Sequence, residues 1–366
     1  MKTTPISLAR RLAVAATLAG TAQVCAAVDV GDFSLHGEGS EAYYQTSANT
    51  FDGADHRGTW DNNFLGFVAS FAINDKATVW SQLETSSGSP THFTWFFLTY
   101  EFNDESAVHV GSVKMPVGIY NEITDTVFLQ QSSVLPAMYQ GSTNWVHDAY
   151  NGVGYDYTQR MGDAGKILWQ VYGGDNDQTN PPAEGRDRRV FGGRVTYTTP
   201  IDGLRFLFSA NQSQIQIEST GTVNNPPTSY ITNLAIGSLA NQNLWIASVD
   251  YLHDTWDVKS EYGRGSYLGV VSDSYYVQVG KVFATRWTVF GRYEYTTLDK
   301  ALSSSESESE KTAVIGLNFK VRPNVSLRIE DQFNHGYAQP VGTGEVAPGT
   351  GKTDWTLFVA GVHFIF

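Results

Sequence analysis

The sequence predicts an all-β fold: a transmembrane antiparallel β-barrel of sixteen strands. Three observations predict it. Apolar and polar residues alternate along almost every segment long enough to judge. Short connections alternate with long ones without exception. The chain ends on an aromatic residue, in the run "AGVHFIF", where soluble proteins usually leave a frayed polar tail.

The first element is a leader. Lys2, Arg10 and Arg11 are basic, Leu12 to Gly20 form a short apolar core, and "CAA" offers small residues for cleavage after Ala27 or one residue earlier. This is the pattern of a secretory signal peptide over 1–27, too short in its apolar part to remain as a membrane helix. The paired arginines alone do not make a twin-arginine signal, and Val24 is bulky for a lipoprotein site at Cys25. Cys25 leaves with the leader, so the mature chain, 28–366, is exported yet carries no disulfide.

Sixteen strands are expected at 32–46, 63–74, 76–85, 92–102, 105–113, 151–159, 165–173, 188–199, 203–214, 243–253, 255–265, 272–283, 285–296, 311–321, 324–335 and 353–366. In "WTVFGRYEY", Trp287, Val289, Gly291, Tyr293 and Tyr295 share one parity, while Thr288, Phe290, Arg292 and Glu294 share the other. A strand points those two sets to opposite faces. Similarly, Val325, Leu327, Ile329 and Phe333 oppose Ser326, Arg328, Glu330, Gln332 and Asn334. A soluble sandwich would supply a few such strands, but not sixteen.

The short connections include "IND", "NDE", "TPID", "HD", "ATR" and "RPN", rich in turn-forming residues. The long ones are 47–62, 86–91, 114–150, 174–187, 214–242, 266–271, 297–310 and 336–352. A closed barrel with turns at one end and loops at the other has this rhythm, and an even strand count leaves both termini at the turn end.

Charge and composition exclude other classes. Without the leader there are 21 basic residues (24 less three) against 37 acidic ones, a net charge of −16. That argues against nucleic acid, which needs a basic surface. No mature run approaches the length of a membrane helix. Neither G-x-S-x-G nor H-E-x-x-H occurs. "GEGSEA" at Gly37 to Ala42 lies within a strand, so its glycines read as barrel packing. Asp175 and Asp177 in "DNDQTN" lack the remaining spacing of a calcium loop, and "SSSESESE" at Ser303 to Glu310 reads as an acidic, solvated loop. No metal site or cofactor is expected.

The third long connection, 114–150, is the longest. It carries Val117, Ile119, Tyr120, Ile123, Phe128, Leu135 and Met138, too many apolar residues for a freely solvated loop. Its apolar side can pack on an inner wall while Glu122 and Asp125 face a channel. By parity, Arg194, Arg205, Arg292 and Arg328 point inward from that wall, as do Glu294, Glu330, Asp156, Asp250, Glu101, Lys259 and His36. Charged rings set ion preference in pores, so acids on the loop facing basic residues on the wall would create a transverse field.

The strand count, the terminal Phe366 and the long third loop resemble the Gram-negative outer-membrane porin superfamily. The run "GSVKMPVGIYNE", with Asp125 and "LPAMY", is similar to a proteobacterial branch with the pattern G-x-x-K/R-x-P-x-G-x-Y-x-E. That match covers only about Val110 to Gln140. An arginine expected in that branch is replaced here by Ile123 or Thr124. The resemblance implies an outer-membrane location, a third loop folded into the lumen, a homotrimer, and passive passage of small hydrophilic solutes or ions. It further implies contact with outer-membrane lipids and lipopolysaccharide, and recognition of Phe366 by the barrel assembly machinery. Two other readings stand beside the channel: an adhesion or binding barrel that uses its long loops, and an outer-membrane hydrolase.

Overall fold

The computed structural model describes residues 28–86, 89–140, 149–176, 185–217, 239–267 and 270–366. The expected leader at 1–27, Asp177 and residues 141–148 of the third loop lie outside them. The strands are β1 (Val28–Val30), β2 (Phe33–Thr46), β3 (Thr59–Asn74), β4 (Ala77–Ser86), β5 (Ser89–Asn103) and β6 (Ser106–Lys114). They continue as β7 (Ala149–Arg160), β8 (Lys166–Asn176), β9 (Gly185–Thr198), β10 (Leu204–Ile217), β11 (Leu239–His253) and β12 (Trp256–Tyr267). The last five are β13 (Val270–Phe283), β14 (Trp287–Thr297), β15 (Ser309–Arg322), β16 (Val325–Gly336) and β17 (Asp354–Ile365).

Each strand from β2 to β17 pairs antiparallel with its sequence neighbours, and β17 pairs with β2. The sheet is therefore a closed ring of sixteen strands, as expected. The unexpected element is β1. It pairs with Phe33 to Leu35 of β2, along the edge that β17 leaves after Ile365 reaches Glu38. Three residues are too few to show a periodicity, so β1 leaves no mark that a sequence pattern could reveal.

Strand limits at the turn end match the expected ones to within about two residues. At the loop end most strands run further: β3 begins at Thr59, β9 at Gly185, β11 at Leu239. Asp, Asn, Gly and Pro mark the turns sharply, whereas above the membrane both strand faces are wet and alternation fades.

Exposure follows parity. Outward Val153, Val171, Phe208, Val277, Tyr293 and Ile315 are exposed, while inward Ser209, Gln278, Thr312 and Glu330 are buried. A soluble protein has the reverse arrangement; a barrel bathed in hydrocarbon has this one. Near the turn end Tyr100, Phe102, Trp256, Phe283 and Trp287 face out, with the Lys281 ammonium 3.9 Å from the Trp256 ring centre. Trp355 of β17 faces the other way. It pairs opposite inward Asn334, is buried, and donates to the Gly336 carbonyl at 2.9 Å.

The seam closes through the C-terminus. Phe366 donates its N–H to the Gly37 carbonyl at 2.8 Å and accepts from Gly37 at 2.7 Å. The Phe366 ring lies over Gly37 and the Phe364 ring over Gly39, so a Cβ at either glycine would collide with a ring. Phe366 also meets Phe67 edge-on at 5.8 Å. Gly39→Val should push Phe364 aside at a cost of about 1–3 kcal/mol. The folded fraction on heat-modifiable gel migration should fall. Gly291→Ala, whose new methyl would meet only the Val314 carbonyl at 3.7 Å, should leave that fraction unchanged.

Candidate functional site

From Met115 to Gln140 the chain leaves the ladder. Three short 3-10 turns, Asn121–Ile123, Val127–Leu129 and Ala137–Tyr139, give it little internal hydrogen bonding. Such irregular backbone must find partners elsewhere, and inward side chains of the wall supply them. Wall carboxylates accept loop N–H groups: Glu38 from Phe128 at 3.3 Å, Glu261 from Ile119 at 2.9 Å, Glu294 from Ala137 at 3.1 Å, and Glu330 from Ser133 at 2.7 Å. Wall arginines donate to loop carbonyls: Arg194 to Gly118 at 3.0 Å, Arg292 to Val134 at 2.9 Å, and Arg328 to Phe128 at 3.0 Å.

Glu261 of β12 is the most fully engaged of these acids. It accepts from Ile119 N–H, from the hydroxyls of Tyr139 (2.6 Å) and Tyr276 (2.8 Å), and from Ser248 (2.6 Å). Four donors match the capacity of one carboxylate. Burial, then the neighbouring Glu261 charge, pushes the Tyr139 hydroxyl well above the ordinary phenol value, so it stays a donor. Gly118 sits at the tightest point, with φ +59; its N–H donates to Ser209 Oγ at 2.9 Å, and a Cβ there would collide with the Tyr139 hydroxyl. Around it Met115, Val117, Tyr120 and Met138 pack with Leu244 and Ile246 of β11 and Tyr276 of β13.

The six expected charges are placed as follows. Glu122 pairs with Arg194 at 2.6 Å, the one acid–arginine pair that the loop and wall share among those six. Asp125 pairs instead with Lys114, the last residue of β6. Arg205 is half-exposed and pairs with Asp250 of the adjacent strand β11. Arg292 is fully buried, 3.4 Å from Glu294. Arg328 is buried beside the loop carbonyl it serves. Parity located the arginines but carries no information on their partners. Glu38, Glu261, Gln278 and Ser209 were not singled out from sequence; parity alone could have put them inside.

Ser133 Oγ lies 3.2 Å from His363 Nε2, the pairing a hydrolytic nucleophile would need. His363 is buried, however, and its Nδ1 has no partner among the described residues, so none of them orients it as a base. Asp175 of the calcium candidate accepts from Arg189 N–H, and no cluster of metal-binding side chains occurs among the described residues. In the acidic run, Glu310 opens β15 on its inner face and accepts from Gln339 N–H at 2.8 Å, so it is buried and not solvated.

No protein-family model and no curated protein matches the sequence. Solved structures do match by shape. *Salmonella typhi* OmpF in complex with daunomycin superposes with a TM-score of 0.63 at 14% identity, over 93% of this chain and 100% of that one. An anion-selective porin from *Comamonas acidovorans* gives 0.61 at 13%, over 91% and 99%. OmpT of *Vibrio cholerae* in its trimer form gives 0.61 at 12%, over 92% and 100%. The chain has the fold of the outer-membrane porins. In this porin-fold barrel residues 115–140 of the long third connection are tied to the wall.

Two measurements probe these contacts. Arg292→Met should leave Glu294 buried without its cation and should destabilise the barrel by about 3 kcal/mol or more, read as a lower temperature of the gel-mobility shift. Arg205→Ala, at a half-exposed pair, should cost under about 1 kcal/mol.

The second concerns the mouth. Asp52 and Gly53 of the first loop donate N–H groups to Glu345 of the last loop at 3.0 and 2.6 Å, and Asn49 exchanges hydrogen bonds with Lys352. Burial, with the Glu345 charge beside it, pushes the Asp52 carboxyl up to about 7 from 3.8. An acid raised on docking costs nothing while protonated in both states, and loosens the docked form progressively as pH rises from about 4 to about 7. Proteolysis after Lys352 should therefore be faster in the parent than in Asp52→Asn at pH 8, and equal in the two at pH 4.

Proposed function

We propose that the chain is a passive diffusion channel of the bacterial outer membrane, a porin for small hydrophilic solutes or ions. It works as a homotrimer embedded in outer-membrane lipid and lipopolysaccharide, and the barrel assembly machinery reads its terminal Phe366. Segment 114–150 is its constriction.

The observation that carries this reading is an asymmetry of the inner wall. The loop is bonded chiefly along the arc that runs from β9 through β17 to β2, where Arg194, Arg292, Arg328, Glu294, Glu330 and Glu38 are buried. On the opposite arc inward Trp80 of β4, His92 of β5 and Asp156 of β7 keep substantial exposure, as does Glu122 on the loop facing them. Water and solute pass between the loop and the β3 to β8 wall. Passage needs no cofactor and no covalent chemistry.

Glu122, with Asp125 behind it, sets the field on the loop side; Arg194 is its wall partner, Arg205 adds to the field from its pair with Asp250, and Arg292 and Arg328 act by holding the loop. Charges at a narrow wet gap act with weak screening, so they outweigh the bulk charge of the loops. Single-channel recording should show stable, salt-dependent conductance. Glu122→Gln combined with Asp125→Asn should move the reversal potential towards anions, because Lys114 and Arg194 lose their counter-charges. A bilayer that stays sealed overturns the channel, and unchanged selectivity and conductance in the double variant overturns the constriction.

A further inference from the structure

Between the loop and strands β5 to β8 lies a cavity of about 250 Å³. Its volume falls near the lower end for ligand sites and suits a single-ring solute. Its walls are of two kinds. Trp95 and Phe97 of β5 are inward aromatics, 5.5 Å apart between ring centres. Tyr150 and Tyr172 stack at 4.7 Å and lie flat along the wall, over Gly154 and Gly192, where any larger side chain would lift them. The polar side is a continuous chain: Glu122 to Arg194, Arg194 to Gln170 Oε1 at 3.0 and 2.7 Å, Gln170 Nε2 to Asp156 Oδ2 at 3.1 Å, and His109 Nε2 3.4 Å from that same oxygen.

The cations at this cavity are already matched. Lys114 is held by Asp125 and Thr124, and Arg194 by Glu122 and Gln170. Asp156 is held only by the Gln170 amide and the His109 imidazole, with no lysine or arginine partner among the described residues. Moreover, Asp156 and Glu122 each engage only one carboxylate oxygen among the described residues, Oδ2 and Oε2 respectively. Their side chains are 28% and 39% exposed, so the second oxygens can accept from a solute. A ring face offers a further favourable surface to a cation and rejects an anion.

We propose that this cavity is a binding subsite for a planar aromatic cation, whose N–H groups are accepted by Asp156 Oδ1 and Glu122 Oε1 while its ring lies against Trp95 and Phe97. Such a solute is the class that the channel retains during passage. The inference rests on the channel reading for its role, but binding at the cavity is measurable without conductance.

The test uses the folded barrel in detergent and three probes: benzamidinium, its anionic analogue benzoate, and guanidinium, which lacks the ring. Isothermal titration should show benzamidinium binding above both others. Asp156→Asn should weaken benzamidinium about tenfold, the worth of one charge-assisted hydrogen bond, and leave benzoate unchanged. Benzamidinium should also interrupt the single-channel current, with shorter blocks in that variant. Equal binding of benzoate, or an Asp156→Asn barrel with native gel migration and unaltered benzamidinium affinity, overturns the proposal. Should that variant fail to fold, Trp95→Leu decides in its place: it should weaken benzamidinium and spare guanidinium, and the reverse overturns the site. A barrel that conducts potassium chloride but binds no benzamidinium refutes the subsite alone. A barrel that binds benzamidinium through Asp156 and does not conduct refutes the channel alone.

Discussion

Irregular backbone inside a barrel has neither a strand partner nor bulk water, and the charged side chains of the wall satisfy it. Glu38, Glu261, Glu294 and Glu330 take the N–H groups of the third loop, while Arg194, Arg292 and Arg328 take its carbonyls. Neither sign alone would suffice, because a peptide group presents a donor and an acceptor. The wall therefore carries acids and bases interleaved, often on one strand, as with Arg292 and Glu294 or Arg328 and Glu330. Glu261, Glu330 and Arg194 offset their desolvation through several hydrogen bonds each, the condition under which a buried ion is tolerated, whereas Arg328 makes one among the described residues, to the Phe128 carbonyl.

The clamp depends on closure of the ring. A barrel fixes which face each residue takes, so a charge two positions along a strand returns to the lumen one step further on. The seam between β17 and β2 sets that register through glycines at 37 and 39 that let Phe366 and Phe364 lie flat. Strands on both sides of the seam, β2 and β16, then present Glu38 and Arg328 to the same loop residue, Phe128. Closure and anchoring are thus one problem: a seam displaced by a single residue would put those two side chains on opposite faces of the sheet.

The sequence made the ring legible because parity and turn chemistry are local. Trp287 to Tyr295 reads correctly from nine residues. Other features are not local. At β5 the register shifts between Gln82 and Leu83, and Thr94 is the extra residue; Trp95 therefore faces in while Phe93, at the same parity, is 62% exposed. No pattern within "HFTWFF" reveals such a bulge, since apolar side chains stand on both faces. The inward arginines were legible for the same reason as the strands. Their partners were not, because a carbonyl in a loop more than a hundred residues away leaves no mark on the sequence around Arg292. Asp125 shows this from the other side: an acid near a row of arginines pairs with Lys114, the residue at which its own loop departs.

The two arcs of the inner wall consequently have different chemistry. From β9 to β17 charge is used up in holding the loop or in pairs within the wall such as Arg205 with Asp250, so those residues offer less to a solute. From β4 to β8 the wall is aromatic and only lightly charged, with Trp80, Trp95, Phe97, Tyr150 and Tyr172 between a few polar groups. The excess of acidic over basic residues in residues 28–366 would suggest a strongly acidic passage, yet many of the described acids are in closed pairs, as Asp125, Asp250, Asp257 and Glu294 are. What a solute meets is set by the charges left over after pairing. Near Asp156 that remainder is one carboxylate beside aromatic faces, a local environment that neither the overall charge nor the overall hydropathy of the chain describes.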